Sequence, residues 1–404
     1  MILPAIVDAS QWTIKEGFVY PNEYIYWGMQ IVMYPFMTGL VAGAFVLSSL
    51  YHVFGRKELK RIAKFALIFS FALLWVAPLP LLLHLQQPQR CVEVFFTPHF
   101  TSAIAAFGMV YSVYFAIVSM EIWFIYRIYF VQQAITLKKK GKLGWLDRAR
   151  QVTYRALTLG AWDIGHAAIE KDEKMTRILA GTGIPVACFL HGYAGFIFGS
   201  VKANALWMTP LMPVIFIVSA AVSGIALCIL AYSIIILWRS KNRMPKVEQD
   251  GIQSATKYLL IFLIFAITLE VLDMVFRGYT AMKSWNILRS VIYQKDFFSI
   301  FLFQYFCGNF IPLVLLLRKP RSIVKIMICA ALILFGVFMM RWNVVIGGQA
   351  FSLSWAGYMH FELPIIPQNL ATYKEGLFGA LTIAALPFLF FFALNKLVPT
   401  LEED

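Results

Sequence analysis

The sequence predicts an all-α polytopic membrane protein with about nine transmembrane helices. Hydrophobic residues fill 60% of the 404 positions and charged residues only 14%, which is too apolar for a soluble domain. Nine apolar stretches reach the roughly 20 residues that a helix needs to cross a hydrocarbon core. They cover residues 26–53, 62–84, 102–129, 177–200, 206–238, 256–278, 297–317, 322–344 and 375–397.

Basic residues lie mainly in alternate loops between these stretches, although the net charge of the whole chain is +14. The loops at 55–61, 127–176, 239–257 and 318–325 hold 23 Lys and Arg residues, whereas the loops of the other side hold seven. Lys and Arg accumulate in cytoplasmic loops, so the N-terminus is predicted outside and the C-terminus inside. The basic loops are topology signals and contacts for membrane lipid, and we expect no nucleic-acid surface.

The cysteines do not form a metal-binding pattern. The five cysteines are Cys91, Cys188, Cys228, Cys307 and Cys329. No two of them have C-x-x-C spacing. Zinc and iron–sulfur sites use closely spaced cysteine ligands. We therefore predict no metal site in this chain.

The predicted topology divides the chain into five segments. They are an outer N-terminal segment (1–25), a first four-helix bundle (26–200) that includes an inner basic loop (130–176), a second four-helix bundle (206–344), an outer loop (345–374), and a last transmembrane helix with an inner C-terminal tail (375–404).

A faint parallel repeat relates the first four spans to the next four. The string TGLVAGAFVL, beginning at Thr38, can be laid over SAAVSGIALC, beginning at Ser219. The alignment matches Gly43 with Gly224, and small residues of this kind permit close helix contact. The ninth span is then an addition to two four-helix units.

Ionisable side chains inside the apolar stretches mark a candidate site, because each costs at least a few kcal/mol in hydrocarbon. Most lie toward the predicted outer surface, namely His84, His191, Tyr193, Glu270, Asp273, Arg277 and Arg341. The three on the sixth span share one helix face, because their spacings are three and four. Glu121 stands apart, toward the inside of the third span.

This outer cluster fits an amphiphile with a polar ring, such as a quinone. His191 and Tyr193 would donate hydrogen bonds to a ring carbonyl, and Arg277, oriented by Asp273, would stabilise a negatively charged ring oxygen. Other assigned quinone-binding residues are Arg341, His84 and Tyr26. Glu270 and Glu121 would relay protons, since carboxylates are common intramembrane relay groups.

Each of these residues also has a structural interpretation. His84 and Arg341 would snorkel to the interface, and Asp273 and Arg277 would form an ordinary helix pair. His191 would be a satisfied bundle histidine. The nearby glycines, Gly192, Gly195 and Gly199, would serve helix packing.

Three strings of the sequence resemble the NrfD/PsrC family of integral membrane subunits. They are HGYAGFIFGSVKAN (191–204), WMTPLMPVIFIVSAAVSGIAL (207–227) and RWNVVIGGQ (341–349). Within that family, the chain looks most like the DsrP branch of DsrMKJOP complexes in sulfur-metabolising microbes. The resemblance implies two four-helix bundles plus accessory helices, with nine to ten spans, in a prokaryotic cytoplasmic membrane.

The resemblance also implies a menaquinone site near the outer face and no haem or iron–sulfur cluster in this chain. The family's quinone pocket uses a tyrosine of the fourth bundle helix, a role that Tyr193 or its neighbour His191 fits. It also uses residues at the start of the first bundle helix, where Asn22, Glu23, Tyr24 and Tyr26 are available.

The implied partners carry the redox centres. They are an outer-face ferredoxin-like iron–sulfur subunit (DsrO-like), a multihaem cytochrome c (DsrJ-like), and other membrane and inner-face redox subunits (DsrM-like and DsrK-like). The iron–sulfur subunit would dock on loops 85–101 and 345–374. The complex would serve sulfite or sulfate metabolism.

Two other functions remain open at this stage. A haem b cytochrome would need matched histidines on different helices, and His84 and His191 are one such pair. A secondary transporter would place its ionisable residues at broken helices near the midplane. Pro213 lies within the fifth span, but the polar groups concentrate near one surface.

Overall fold

The computed structural model describes residues 25–401, except for 98, 100, 141–143, 202–203, 205, 242, 280–288, 290, 319–321, 351–358, 360 and 399. Within these residues all regular structure is helical. Nine of the described helices are long and apolar enough to cross a membrane. The predicted fold class and the predicted number of spans are therefore confirmed for the described chain.

The nine long helices are labelled in chain order. They are α1 (Met29–His52), α2 (Lys60–Val76), α3 (Ala103–Lys139), α4 (His166–Gly199), α5 (Met212–Arg239), α6 (Lys246–Tyr279), α7 (Phe298–Phe310, continued by Ile311–Leu317), α8 (Ile323–Trp342, continued by Asn343–Gly347) and α9 (Leu377–Leu397). Short helices at Leu79–His84, Pro88–Val92, Glu93–Phe96, Trp145–Leu157, Val291–Lys295 and Leu370–Glu375 lie between them.

The long helices form two four-helix groups. In the first group α1 packs against α2 and α4, and α3 packs against α4; in the second, α5 packs against α6 and α8, and α7 packs against α8. The groups meet chiefly along α1 and α5, while α9 packs against α2. A single large core of buried apolar side chains runs through both groups.

The contact between α1 and α5 depends on the two glycines that the sequence repeat aligns. A Cβ atom on Gly43 would lie 2.8 Å from the Cα atom of Gly224 and would collide with the carbonyl of Ala220. A Cβ atom on Gly224 would collide with the backbone of Gly43 in return. If a two-fold axis relates the two repeats, equivalent residues that lie near the axis contact each other. The contact between Gly43 and Gly224 therefore supports the repeat.

One end of the molecule carries the basic loops and is called the basic end here. At this end the short helix Trp145–Leu157 runs antiparallel to the end of α3, since Trp123 donates to the Leu157 carbonyl (2.8 Å) and Lys140 lies 3.4 Å from Asp147. The start of α1 is at the opposite end, and residues 1–24 of the predicted outer N-terminal segment lie outside the described residues.

Candidate functional site

A cavity of about 120 Å³, partly open to its surroundings, lies among the helices of the second group. Most of its wall is apolar, including Leu206, Met212, Ile215, Ile292, Ile300 and Met340. Its polar groups come from three helices, namely Glu270, Asp273 and Arg277 of α6, Gln304 and Tyr305 of α7, and Asn343 of α8. An apolar pocket with a few polar groups is the usual form of a small-molecule site.

Two of the predicted site residues form a fixed pair in this cavity. Nε of Arg277 donates to Asp273 Oδ2 at 2.8 Å, as their spacing on one helix face predicts. The hydroxyl of Thr209 donates to the other oxygen, Asp273 Oδ1, at 2.5 Å. Asp273 is therefore held from two sides and orients the guanidinium of Arg277.

Glu270 accepts hydrogen bonds from amide side chains of α7. Gln304 Nε2 lies 3.0 Å and Asn309 Nδ2 lies 3.4 Å from Glu270 Oε2. Asn343 of α8 in turn donates to Gln304 Oε1 at 2.8 Å, and the Ser299 hydroxyl donates to Asn343. Asn343 thus holds the Gln304 amide that donates to the carboxylate, so Glu270 is a supported acceptor at the cavity wall.

The backbone of two cavity walls departs from α-helical geometry. Residues Phe298–Phe310 of α7 and Asn343–Gly347 of α8 are π-helical. Gln304, Tyr305 and Asn343 lie in these segments. Short π-helical segments are rare and occur frequently at functional sites, so their position here supports the cavity as a site.

His191 and Arg341 lie beside this cavity but are not part of its wall. Both are buried, with 1% and 0% of their surface exposed, so Arg341 does not snorkel to an interface. Arg341 Nη2 lies 3.1 Å from His191 Nε2 and donates to Ser219 Oγ at 2.7 Å. The guanidinium carbon of Arg341 is 3.7 Å from the ring centre of Phe216.

The other ring nitrogen of His191 continues this contact into the first helix group. His191 Nδ1 lies 3.4 Å from the hydroxyl of Thr38. Thr38 and Ser219 are the first residues of the two aligned strings, so each repeat contributes one hydroxyl. His191 and Arg341 therefore connect the two helix groups, each bonded to a hydroxyl at the same position of a repeat.

The structure does not bring Tyr193 to His191 or to the cavity. Tyr193 is half-buried, with ring centres of Phe189 and Phe196 at 5.7 and 5.5 Å. Residues two apart on a helix point in nearly opposite directions, which explains the separation.

The glycines beside His191 serve helix packing. A Cβ atom on Gly195 would lie 2.8 Å from the Met212 carbonyl oxygen, and one on Gly199 would lie 2.8 Å from the Thr209 carbonyl oxygen. Their absence of side chains lets α4 approach α5 closely, and they do not line the cavity.

Two further predicted residues lie apart from the cavity. His84 Nδ1 is 3.0 Å from Glu375 Oε1 and thereby links Leu79–His84 to the segment before α9. Tyr26 precedes α1 and is 61% exposed. The residues Asn22, Glu23 and Tyr24 lie outside the described residues.

Glu121 lies in the first helix group, away from Glu270. It is fully buried, and neither carboxylate oxygen has a hydrogen-bond partner among the described residues. The His52 ring lies nearby, with Nδ1 at 3.9 Å from Glu121 Oε1. This distance is too long for a direct hydrogen bond, and the same ring nitrogen lies within hydrogen-bond distance of the Ser48 hydroxyl and carbonyl.

The motif strings HGYAGFIFGSVKAN and RWNVVIGGQ also contact each other near their C-terminal ends. Asn204 Nδ2 donates to the Gly348 carbonyl at 2.6 Å. Gln349 exchanges hydrogen bonds with the backbone N–H and carbonyl of Trp27, at 3.1 and 3.0 Å. Trp27 stacks on Trp207 with ring centres 5.2 Å apart. These strings thus fix the ends of α1, α4 and α8 that face away from the basic end.

Sequence reasoning missed the amide residues of the site, Gln304, Asn309 and Asn343. Amides carry no charge, and an isolated Gln or Asn hardly changes the hydropathy of an apolar stretch. The available signal was Asn343, which lies two positions after Arg341 in one of the motif strings. Among the described residues, no group of three His, Cys, Asp or Glu side chains could hold a metal ion.

The haem interpretation is not supported by the histidine environments. Both ring nitrogens of His191 are within hydrogen-bond distance of other side chains, so His191 has no free ring nitrogen, whereas His84 is bonded to Glu375 through Nδ1 alone. A bis-histidine haem needs one free ring nitrogen on each ligand.

The family model of polysulphide reductase, NrfD, matches residues 20–353 of the chain. The chain is 35% identical to a selenate reductase component of Mesobacillus selenatarsenatis over 212 residues, which is 52% of this chain and 49% of that protein. It is 26% identical to a putative membrane component of dimethyl sulfoxide reductase from Halobacterium salinarum over 242 residues, 59% of this chain and 49% of the relative.

A third relative is similar over more of its length. The Hdr-like menaquinol oxidoreductase integral membrane subunit of Archaeoglobus fulgidus is 24% identical over 379 residues, 92% of this chain and 83% of that subunit. The chain spans about half the length of the other two relatives.

Proposed function

Because this chain belongs to the polysulphide reductase NrfD family, a family of reductase membrane subunits, we propose that it is the quinone-reactive subunit of a respiratory electron-transfer complex. Its substrate would be menaquinone or menaquinol, the compound class in the name of the Archaeoglobus relative. The observation that carries the proposal is the cavity of the second helix group, with its apolar wall and polar groups from α6, α7 and α8.

The residues of the cavity suit a quinone ring. A ring carbonyl accepts hydrogen bonds, and Arg277 and Gln304 supply N–H donors at the wall, with Gln304 held by Asn343. A hydroquinone must also lose protons, and Glu270 and Asp273 supply carboxylates. The side chains of Leu206, Met212 and Ile215 offer apolar contact to the ring faces.

The quinone would supply two-electron, two-proton chemistry, and this chain would supply binding and proton handling. Oxidation of menaquinol releases two electrons and two protons, and the electrons would reduce an iron–sulfur partner. Arg277, oriented by Asp273, would hold one ring oxygen, and Glu270 would exchange a proton at the other. The same geometry serves the reverse reaction.

The partner would be an outer-face ferredoxin-like iron–sulfur subunit. The segments opposite the basic end carry exposed apolar side chains, including Phe96 at 82%, Ile366 at 78% and Leu370 at 67% exposure. Such side chains outside the membrane spans are typical of docking surfaces. We propose loops 85–101 and 345–374 for this contact, with the N-terminus outside and the C-terminus inside a prokaryotic cytoplasmic membrane.

The proposed setting is a DsrMKJOP-type complex of sulfite or sulfate metabolism. A multihaem cytochrome c and further membrane and inner-face redox subunits would complete it. This assignment is supported by the resemblance of the motif strings. The names of the relatives extend the family to selenate and dimethyl sulfoxide reductases, so the terminal substrate would be set by the other subunits.

Binding of a fluorescent menaquinol analogue to the purified subunit tests the proposal. The wild type should quench the analogue saturably, and Arg277→Ala should weaken binding about tenfold, or about 1.4 kcal/mol. Arg155→Ala, which removes an exposed arginine at the basic end, is the matched control and should bind like the wild type. Binding that is equal in all three proteins would place the site outside this cavity.

His191→Ala adds a second comparison. His191 does not line the cavity, so its effect should be smaller than that of Arg277→Ala. An effect of His191→Ala that exceeds the effect of Arg277→Ala would instead favour a quinone site at the junction of the two helix groups.

A further inference from the structure

Arg341 is a buried cation without an ion pair among the described residues. Its Nη2 bonds neutral groups, His191 and Ser219, and its Nη1 lies 3.3 Å from the sulfur of Met340. Its Nε has no acceptor among the described residues. A charge that is fully removed from water is costly unless a negative charge compensates it.

Glu270 is the carboxylate that hydrogen bonds connect to the same helix as Arg341, through Gln304 of α7 and Asn343 of α8. The two side chains do not bond each other, because the carboxylate is bonded to amides instead. Met340, Asn343 and Val344, close to Arg341 in the chain, line the cavity that Glu270 faces, whereas Arg341 itself does not. The cation therefore lies behind the wall of the cavity and the carboxylate lies in it.

The other polar and charged side chains near Glu270 come from the helices that pack around it. From α6 they are Asp273 and Arg277, which pair with each other, and from α7 they are Gln304, Tyr305 and Asn309, which donate hydrogen bonds to Glu270. From α8 they are Arg341 and Asn343, and α5 presents the apolar Met212 and Ile215. Among the described residues of this region, the Glu270 carboxylate and the Arg341 guanidinium thus each lack an oppositely charged group in contact.

We infer that Arg341 is a shared counter-charge, which stabilises a single negative charge either on Glu270 or on an oxygen of a ligand bound in the cavity. When a bound hydroquinone gives a proton to Glu270, its O–H bond breaks and an O–H bond forms on the carboxylate. The negative charge moves from Glu270 to the ring oxygen. Arg341 attracts one negative charge before and after the transfer, which keeps the two states close in energy.

This inference rests on the proposed function, because it names the proton acceptor of the same site. It assigns Arg341 a positioning role through space, without contact to the ligand. A measurable consequence follows for any ring ligand that arrives as an anion. Its negative charge replaces that of Glu270, so binding should be accompanied by uptake of a proton.

The test uses two ring ligands of similar shape and different charge. One is 2-hydroxy-1,4-naphthoquinone, which is an anion above neutral pH, and the other is the neutral 1,4-naphthoquinone. Titration calorimetry at pH 8, in two buffers with different ionisation enthalpies, measures both affinity and proton uptake. The wild type should take up close to one proton with the anion and none with the neutral ligand.

Variants distinguish the role of the Glu270 carboxylate from that of the Arg341 guanidinium. Glu270→Gln should bind the anion without proton uptake. Arg341→Gln should bind the anion at least tenfold more weakly and the neutral ligand within twofold of the wild type, while Arg341→Lys should keep most of the preference for the anion. Arg155→Gln removes a positive charge at the basic end and should leave both affinities unchanged.

The outcomes distinguish this inference from the proposed function. If neither ligand binds the wild type, the cavity is not a quinone site and the proposed function fails. If both ligands bind but the anion brings no proton, or if Glu270→Gln keeps the proton uptake, only the inference is overturned. If Arg341→Gln does not fold, the proton uptake of the wild type and of Glu270→Gln still decides.

Discussion

His191 Nε2 lies 3.1 Å from Arg341 Nη2 in the middle of the interface between the two four-helix groups. An arginine only donates, so Nε2 must be the acceptor and the ring proton must reside on Nδ1. That proton faces the hydroxyl of Thr38 at 3.4 Å, and the hydroxyl donates to the Tyr34 carbonyl at 3.1 Å. His191 is therefore a neutral imidazole with its proton on Nδ1. It is the first residue of the string HGYAGFIFGSVKAN, and its bonds connect the two four-helix groups.

Replacing His191 should destabilise the junction according to what the new side chain offers Arg341. His191→Leu removes an acceptor from a buried cation and should cost about 1–3 kcal/mol of unfolding free energy. His191→Gln keeps an acceptor oxygen and should cost less. Thermal unfolding of the detergent-solubilised protein measures both, and equal losses in the two variants would contradict the bond.

The contact of Gly43 with Gly224 predicts a second stability effect. Gly43→Ala puts a methyl group against the Ala220 carbonyl and the Gly224 backbone, and such overpacking costs typically about 1–3 kcal/mol. Gly181→Ala is a matched control on α4, because nothing lies within 4 Å of its added Cβ. The same thermal assay should show a loss for Gly43→Ala and none for Gly181→Ala.

The spans were predictable because hydropathy and loop charge act on whole segments. A stretch of about 20 apolar residues has few alternatives to a membrane helix, and the nine predicted spans match the nine described ones. The alignment of Gly43 with Gly224 was also visible, since a close helix crossing leaves small residues in both strings.

The site was predictable only within single helices. The pairing of Asp273 with Arg277 follows from their spacing of four, whereas the bond between His191 and Arg341 joins residues 150 positions apart. Tyr193 was grouped with His191 because the two are close in the chain. Side chains two residues apart on a helix point in nearly opposite directions, so the two side chains are separated. Gln304 and Asn343 became visible only when α7 and α8 were in place.

Asn343 should matter for binding as much as the charged residues do. Its amide lines the cavity and donates to Gln304, so Asn343→Ala removes a donor and releases the amide that supports Glu270. The affinity for the menaquinol analogue should fall about tenfold, or about 1.4 kcal/mol. Asn395→Ala, at the end of α9, is the control, and an equal loss in both variants would contradict the role of the cavity.

Asp296, which precedes α7, should make stability depend on pH. Burial raises the pKa of Asp296 above its ordinary value of 3.8, with Lys295 acting in the opposite direction. The folded state therefore holds this proton more tightly than the unfolded chain does. The stability that protonated Asp296 contributes should be present near pH 4 and be lost as pH rises through the raised pKa.

Comparison with Asp296→Asn isolates this effect. The amide does not titrate, so the variant should gain stability over the wild type as pH rises from 4 to 7. Melting temperatures across this range provide the measurement. Parallel curves for the two proteins would show that Asp296 is equally protonated in the folded and unfolded states.

Glu121 gives a test of proton transfer through the first helix group. Both of its carboxylate oxygens lack partners among the described residues, and Nδ1 of His52 lies 3.9 Å from Glu121 Oε1. We expect Glu121→Gln in the intact complex to lose the pH change that accompanies menaquinol oxidation in liposomes. Affinity for the menaquinol analogue should stay within twofold of the wild type, because Glu121 is not part of the cavity.

The control for this experiment is Glu173→Gln, which removes an exposed carboxylate from the part of α4 near the basic end. Its pH change should equal that of the wild type. A full pH change in Glu121→Gln would exclude Glu121 from the relay and confine proton release to the side of the second helix group. Loss of both the pH change and analogue binding would instead indicate a structural defect, which the melting temperature of the variant would reveal.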